Sequence, residues 1–348
     1  MLYLNNAFIV RKINRVMLRR SALEKYLGEN GLFPAAIGSE NRLMNDWFWI
    51  RDNYYIWLAG GEKVKKRIGS AFQKFIDYNI FLGKFDNIPK EEYEFIHPLC
   101  TGEMQEITVD NLKQGWAFIQ TDSYGNLLEV MSEIGDQRRA DIMADYLNTI
   151  SFWDLKDYGF WECGVREIHA SSLAACLRGL ESYESSFGIS VKNLKYNGYD
   201  SLQEVLRVGE TLGRESDLAL MSLLYPGKLD ARIITPRASG KIIASLGCLE
   251  GGYGFRRFLG DDWDGLVHIG DDKLVGGQEM QWGIGSSWKY LITRDKDDYD
   301  RTIISKEKYG CCEGVVPVDR SDLSKGWQMN CTPFLFWTKG MQSLITKS

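Results

Sequence analysis

Two adjoining stretches of this chain bury apolar residues in opposite ways, and that contrast restricts the fold more than any other feature. From Trp47 to Leu58 the pattern is apolar nearly all round, as in a helix covered on every side. In the next block Val64, Ile68, Phe72, Phe75 and Ile76 stripe one side and leave the other polar. Helical patterns also run over 6–27, 124–134, 138–150, 170–183, 202–212, 217–224, 240–249, 281–292, 296–304 and 334–345, about twelve helices of ordinary length. No strand–helix alternation is present, so a parallel α/β sheet is disfavoured. Helices alternately buried and half exposed suit an all-α toroid, an inner ring covered on both sides and an outer ring facing water. No linker divides the chain, so 1–348 reads as a single domain. Residues 84–114 carry prolines, acids and scattered aromatics without a clean period, and read as a long loop or short hairpin insertion of the kind that shapes sites.

Composition narrows the function classes. At 348 residues, 44% hydrophobic and 26% charged, the chain has apolar material for one large core. A net charge of -5 opposes a phosphate-tracking surface, and the dense basic run from Lys63 to Arg67 falls on the polar side of its helix, so no nucleic-acid partner is expected. Seven cysteines without a C-x-x-C pair argue against a disulfide framework or structural zinc and for a reducing compartment. The first apolar patch is too short for a secretory signal and no run reaches bilayer length, so the expectation is a cytoplasmic protein without membrane attachment.

The polar residues that such a ring gathers at one mouth centre on 157–183, DYGFWECGVREIHASSLAACLRGLESY. Glu162 follows Phe160 and Trp161, and after a short loop Ala170, Leu173, Ala174, Leu177 and Leu180 fall on one helical face. A carboxyl beside aromatics loses hydration in its charged form, so its pKa rises and it keeps a proton to donate to a leaving oxygen near neutrality. That chemistry suits glycoside cleavage; the same residues also fit a core tryptophan next to a solvated loop acid. Trp49-Ile50-Arg51-Asp52 sets a guanidinium beside a carboxylate where a buried helix begins. The pair suits vicinal sugar hydroxyls, and equally suits a structural ion pair between helices. Trp116, Gln120 and Asp122 repeat an aromatic with short polar groups ahead of a helix. The glycine- and aromatic-rich loop 253–263 carries Arg256, Arg257, Asp261 and Asp262, and fits a stacked structural loop as well as a site. The acids from Asp261 to Asp272 do not keep calcium-loop spacing, so no metal is expected. His97, His169 and His268 are isolated imidazoles and read as structural, although Glu167 and His169 follow the acid loop closely enough to line the pocket mouth. Eleven tryptophans and seventeen tyrosines fit a sugar platform, and a large core also consumes aromatics.

Nine motifs in order carry a family resemblance: Gly31 to Pro34 (GLFP), WIRDN at 49–53, Gln120 with Asp122, DYGFWECG at 157–164, EIHASSLAACLRGLE at 167–181, SDLALMSLLYP at 216–226, GGYGFRRFLGDDW at 251–263, EMQWGIGSSW at 279–288, and PFLFWTKGMQSL at 333–344. The chain resembles glycoside hydrolase family 15, closest in wording to the glucoamylase-like domains of the phosphorylase kinase alpha and beta subunits. The resemblance implies an (α/α)6 toroid of the six-hairpin glycosidase type and an inverting, exo-acting hydrolase of α-glucosides or α-glucans that needs no cofactor. It implies Glu162 as general acid, Arg51, Asp52 and Arg257 as holders of the nonreducing glucose, and Trp161 as the aromatic beside the scissile bond. Trp49, Gln120, Asp122, Glu167, His169 and Trp282 complete the expected substrate-binding set. Cys163 stands where fungal relatives have a second acid, which removes one sugar contact.

Inversion needs a second carboxylate roughly 6.5 to 9.5 Å from the first, with room for a water between them. The family's base follows a proline before the last helix, and here Val318 holds that position. Glu313 and Asp319 are the nearest acids, and a one-residue shift points a side chain another way. Two functions follow: an α-glucoside hydrolase with Glu162 as acid and Glu313 or Asp319 as base, or a non-hydrolytic glucan- or oligosaccharide-binding regulatory module like the kinase subunits.

Overall fold

The computed structural model describes residues 27–34, 47–102, 118–162, 166–227, 229–252, 254–261, 281–309 and 314–315. Within them the chain is helical: α1 (Ile50–Ala59), α2 (Glu62–Phe81), α3 (Thr121–Glu133), α4 (Gln137–Thr149), α5 (Ala170–Phe187), α6 (Lys192–Val205), α7 (Pro236–Ser245), α8 (Gly283–Thr293) and α9 (Lys296–Tyr309). Two short antiparallel pairs accompany them, β1 (Trp47–Trp49) with β2 (Leu99–Thr101) and β3 (Gln281–Trp282) with β4 (Gly314–Val315). The expected helices over 6–27 and 334–345 lie outside the described residues. No described helix is long and apolar enough to cross a membrane.

The two burial patterns separate as the sequence requires. In α3 every residue from Thr121 to Ser132 is buried, and α1 is buried at all positions except Asp52 and Leu58. Their successors bury one stripe only: Val64, Ile68, Phe72, Phe75 and Ile76 in α2, and Ala140, Met143, Ala144 and Leu147 with Tyr146 in α4. Lys63, Lys66 and Arg67 lie exposed on α2, and Lys65 lies over the Trp57 ring. Chain reversals follow local chemistry. Gly60-Gly61 ends α1, Gly188 ends α5 in the left-handed conformation (φ 69°), and Asp136 caps α4 by accepting from the Arg139 N–H.

The inner elements pack in sequence: α1 on α3, α3 on α5, α5 on the buried 3₁₀ segment Leu218–Leu223, and that segment on α8. The ring of Tyr55 on α1 meets that of Trp288 on α8 at 5.5 Å. α3 and α5 approach backbone to backbone, since a Cβ on Gly125 would sit 2.4 Å from the Ala175 carbonyl and one on Gly179 2.6 Å from the Gly125 oxygen. Below the site a buried polar knot ties four elements together. Tyr54 Oη donates to Glu129 Oε2 (2.7 Å), Arg178 Nε faces the same oxygen at 3.4 Å, and Arg178 Nη1 donates to the Ser222 carbonyl (2.9 Å).

Several boundaries differ from the sequence reading: the helix expected over 240–249 is Pro236–Ser245 followed by the 3₁₀ turn Leu246–Leu249, that expected over 296–304 runs to Tyr309, and three further differences have a local cause. The block at Trp47 opens as a strand, because Phe48 and its neighbours pair with Leu99–Thr101 within the long loop; that loop therefore contributes β2 to a partner outside itself. The helix expected over 202–212 lies earlier, at Lys192–Val205, and the chain then turns at Gly209 (φ 118°), where a Cβ would meet the Arg214 oxygen at 2.3 Å. The segment 217–224 is a 3₁₀ turn rather than an α-helix, bounded by the Asp217 cap and Pro226.

Candidate active site

The site is assembled at the N-terminal ends of the inner helices. Trp49, Gln120, His169 and Trp282 occupy the N-cap positions of α1, α3, α5 and α8, and none caps its helix through its side chain. Aromatic, amide and imidazole groups stand where serine or aspartate would favour the helix, and the side chains turn to contacts outside it.

Arg51, in the first turn of α1, is the hub. Its Nε donates to Asp122 Oδ2 (2.5 Å), Nη1 to the Phe160 carbonyl, and Nη2 to Gln120 Oε1 and, at 3.4 Å, to the Gly159 carbonyl. The guanidinium also lies 4.8 Å from the Phe160 ring centre. Three residues expected to hold sugar, Arg51, Gln120 and Asp122, thus come together, but the N–H groups of Arg51 are taken up by protein acceptors, so this side chain organises the site. Asp52 differs. It is half-buried, and no hydrogen bond from a described residue reaches its carboxylate. Burial, with Glu162 and Asp122 adding to it against the Arg51 charge, pushes its pKa up to about 7.

Glu162 sits at the tip of a loop whose neck is closed by paired backbone bonds between Asp157 and Glu167 (2.9 Å each way). Its φ is 56°, a left-handed conformation that costs a non-glycine residue of order 1 kcal/mol or more and so marks a position held by its surroundings. Oε1 accepts from the Trp49 indole N–H (3.0 Å) and lies 3.5 Å from Arg51 Nη1. Burial raises its pKa above the ordinary carboxylate value, against the pull of Arg51 and the Trp49 bond. The reading of a solvated loop acid is thereby excluded: the Glu162 side chain is 13% exposed.

An aromatic wall adjoins the acid. Trp161 packs between Phe160 (4.8 Å) and Trp282 (5.1 Å), with the Arg257 guanidinium 5.8 Å from its ring centre. Arg257 is held by a two-pronged pair with Asp261 (2.7 and 2.6 Å). The 3₁₀ turn Glu92–Glu94 of the long loop reaches the other flank, where Glu92 accepts from Tyr158 Oη (3.2 Å) and pairs with Arg166 (3.2 Å).

Other expected residues fall differently. Glu167 serves the loop neck through its backbone and turns its carboxylate towards Lys156 (3.8 Å). His169 is buried beneath the loop rather than at a mouth. Glu313 and Asp319 lie outside the described residues. Sequence reasoning missed Asp217, whose Oδ1 accepts from the Trp161 indole N–H (2.7 Å), and Glu210, which faces His169. The one signal for Asp217 was its place as an aspartate before a short apolar helix pattern; Glu210 had none. Among the described residues no group of three or more histidine, cysteine, aspartate or glutamate side chains is arranged to hold a metal ion.

No protein-family model matches the chain, and no curated protein matches by sequence. Solved structures do match. A wild-type glycosidase superposes with a TM-score of 0.72 at 18% identity over 94% of each chain, and a variant of a glycosidase in complex with glucose gives the same score and coverage at 19% identity. A bacterial glucoamylase complexed with acarbose gives 0.59 at 12% identity, over 91% of this chain and 52% of its own. The similarity in these cases is of fold, and with the arc of buried inner helices described above it identifies the chain as an all-α (α/α)6 toroid.

Proposed function

We propose that the chain is an inverting, exo-acting glycoside hydrolase of family 15 type that releases glucose from short α-glucosides or α-glucans. The observation that carries this reading is Glu162: a half-buried carboxyl of raised proton affinity, held at a strained loop tip by the Trp49 indole and adjoining Trp161. The names of the similar structures, glycosidase and glucoamylase, with glucose and acarbose among their ligands, support the substrate class.

In this reading Asp52 accepts hydrogen bonds from sugar hydroxyls, Arg51 fixes Asp122, Gln120 and the Phe160 carbonyl around it, and Trp161 and Trp282 present apolar faces to the ring. Glu162 gives its proton to the glycosidic oxygen as the bond from that oxygen to the anomeric carbon breaks. A water, losing its proton to a second carboxylate, attacks the anomeric carbon from the opposite face and yields β-glucose. Glu313 and Asp319 are the candidates for that base. Because the acid must stay protonated, activity falls as pH rises through the raised Glu162 value.

The test follows the anomer released from maltose, isomaltose, trehalose and longer maltooligosaccharides by NMR. Glu162→Gln is expected to reduce release by at least about a hundredfold, at the scale of a lost general acid. Initial release of α-glucose, or full activity of the variant, overturns the reading. Replacing Glu313 and Asp319 singly identifies the base. A second reading, a binding module without turnover, is favoured by Val318 at the family's base position; its signature is a thermal shift with acarbose while all four sugars remain intact.

A further inference from the structure

Beneath the loop that presents Glu162 lies a buried group of four titratable side chains that the hydrolytic scheme does not use. His169, at the N-cap of α5, is 3% exposed and faces the Glu210 carboxylate, with Nδ1 3.5 Å from Oε1. Glu210 is anchored by the Ser171 hydroxyl and N–H, and its own carbonyl accepts from the Ala170 N–H (2.9 Å). Asp157, at the loop neck, accepts from the Gly159 N–H (3.0 Å) and from the Thr121 N–H and hydroxyl (2.8 and 2.7 Å). Asp217 accepts from the Trp161 indole and the Ala219 N–H (2.8 Å); its second oxygen has no hydrogen-bond partner and lies 3.8 Å from Arg214 Nη1. Each carboxylate therefore grips a different part of the acid loop or its support: the Gly159 turn, the Trp161 ring and the start of α5.

Buried carboxyl groups need a proton or a counter-charge: burial raises the pKa of Asp157 and pushes that of Asp217, which Arg214 flanks, up to about 7, and the negative charge that remains needs a further cation. The imidazole supplies it, and it also touches the loop directly: Gly159 (φ 67°) lies flat on the ring, where a Cβ would stand 2.6 Å from Cε1 and Nδ1. Among the described residues neither ring nitrogen meets a hydrogen-bond partner of good geometry, and the ring faces Glu210 across the 3.5 Å contact, with Asp157 and Asp217 acting on its charge beyond. Burial opposes that charge, and Glu210, Asp157 and Asp217 together outweigh burial and hold the imidazole's pKa above its ordinary value.

We propose that His169 is a positioning residue: as a buried imidazolium it holds Asp157, Glu210 and Asp217 together under the acid loop, and through them fixes the Gly159 turn and the Trp161 ring that set where Glu162 points. The proposal rests on Glu162 being the acid, and its test separates the two. In protein with labelled histidine rings, only three residues contribute. His97, which burial pushes down to about 3, stays neutral, and the signal missing from His268→Gln identifies His268, leaving His169. The expected result is a charged His169 ring at pH 6.5, the ordinary histidine midpoint, with its own midpoint higher; a ring already neutral there overturns the proposal.

His169→Gln is expected to speed hydrogen exchange at the amides of Gly159, Phe160 and Trp161 while leaving those of α2 unchanged. It should also lower kcat on an α-glucoside by about tenfold or more with little change in KM, the pattern of a misplaced catalytic group. Unchanged exchange in the loop overturns the proposal. Should that variant fail to fold, Asp217→Asn keeps the imidazole and is expected to lower its titration midpoint; an unmoved midpoint also overturns it. If the wild-type protein cleaves none of the sugars, the acid reading fails, while the ring charge and the loop exchange still decide the role of His169.

Discussion

At the scale of the residue, the informative contrast is between Arg51 and Asp52, adjacent in sequence and opposite in circumstance. Arg51 spends its N–H groups on Asp122, Gln120 and two backbone carbonyls, whereas no hydrogen bond from a described residue reaches the Asp52 carboxylate. A carboxyl whose folded pKa is raised to about 7 binds its proton more tightly folded than unfolded. The protonated form thus supports the fold at low pH, and that support is lost as pH rises through 7. Asp52→Asn is therefore expected to raise Tm relative to wild type at about pH 8, to leave it unchanged near pH 4, and to weaken ligand binding; an equal Tm difference at both pH values contradicts the assignment. Much of this constellation was legible in the sequence. WIRDN, the Gln120 and Asp122 pair and the aromatics before Glu162 each announced a polar group beside a buried helix, and folding brings them together. The saturation of Arg51 was not legible, because its acceptors come from positions 69 to 109 residues away, and no local period encodes which of two neighbouring side chains faces inward to other loops. The Trp161–Asp217 bond, 56 residues apart, escaped for the same reason.

At the scale of the element, α3 and α5 pack backbone to backbone, and their approach depends on two glycines that helix propensity alone would penalise. A methyl group at Gly125 would overlap the Ala175 carbonyl and the Cys176 nitrogen at 2.4 Å, both backbone atoms that cannot rotate away. Gly125→Ala is therefore expected to destabilise by about 1–3 kcal/mol, the usual cost of overpacking, although alanine is the better helix former. A shift of the urea midpoint to lower concentration checks it, and a stabilised variant would contradict the backbone contact. Helix identity was legible wherever burial was one-sided, as in α2 and α4, where a stripe fixes both period and face. It was least legible between 192 and 224. There the polar α6 carries only a short apolar contact at Gly198, Tyr199 and Leu202, and the wholly buried segment 218–223 has no polar side to reveal its period.

At the scale of the whole molecule, the ring expected from alternating buried and half-exposed helices is present, and the site draws on nearly its full described length. Trp49, Gln120, Glu162, Arg257 and Trp282 come from five separate elements, none of which carries the site alone. The helix ends that converge there lack caps from their own N-cap side chains, and their first N–H groups are met from other elements instead, Ile50 by the Pro98 carbonyl, Thr121 by Asp157, and Ala170 and Ser171 by Glu210, so these ends lose their partners when the elements part. Acarbose binding is therefore expected to fade at lower urea than far-UV ellipticity, and coincident curves would contradict this. A toroid whose working surface is made of helix ends capped by one another's elements behaves as its own gauge of assembly: the pocket disappears when any one hairpin swings out, long before the helices themselves dissolve.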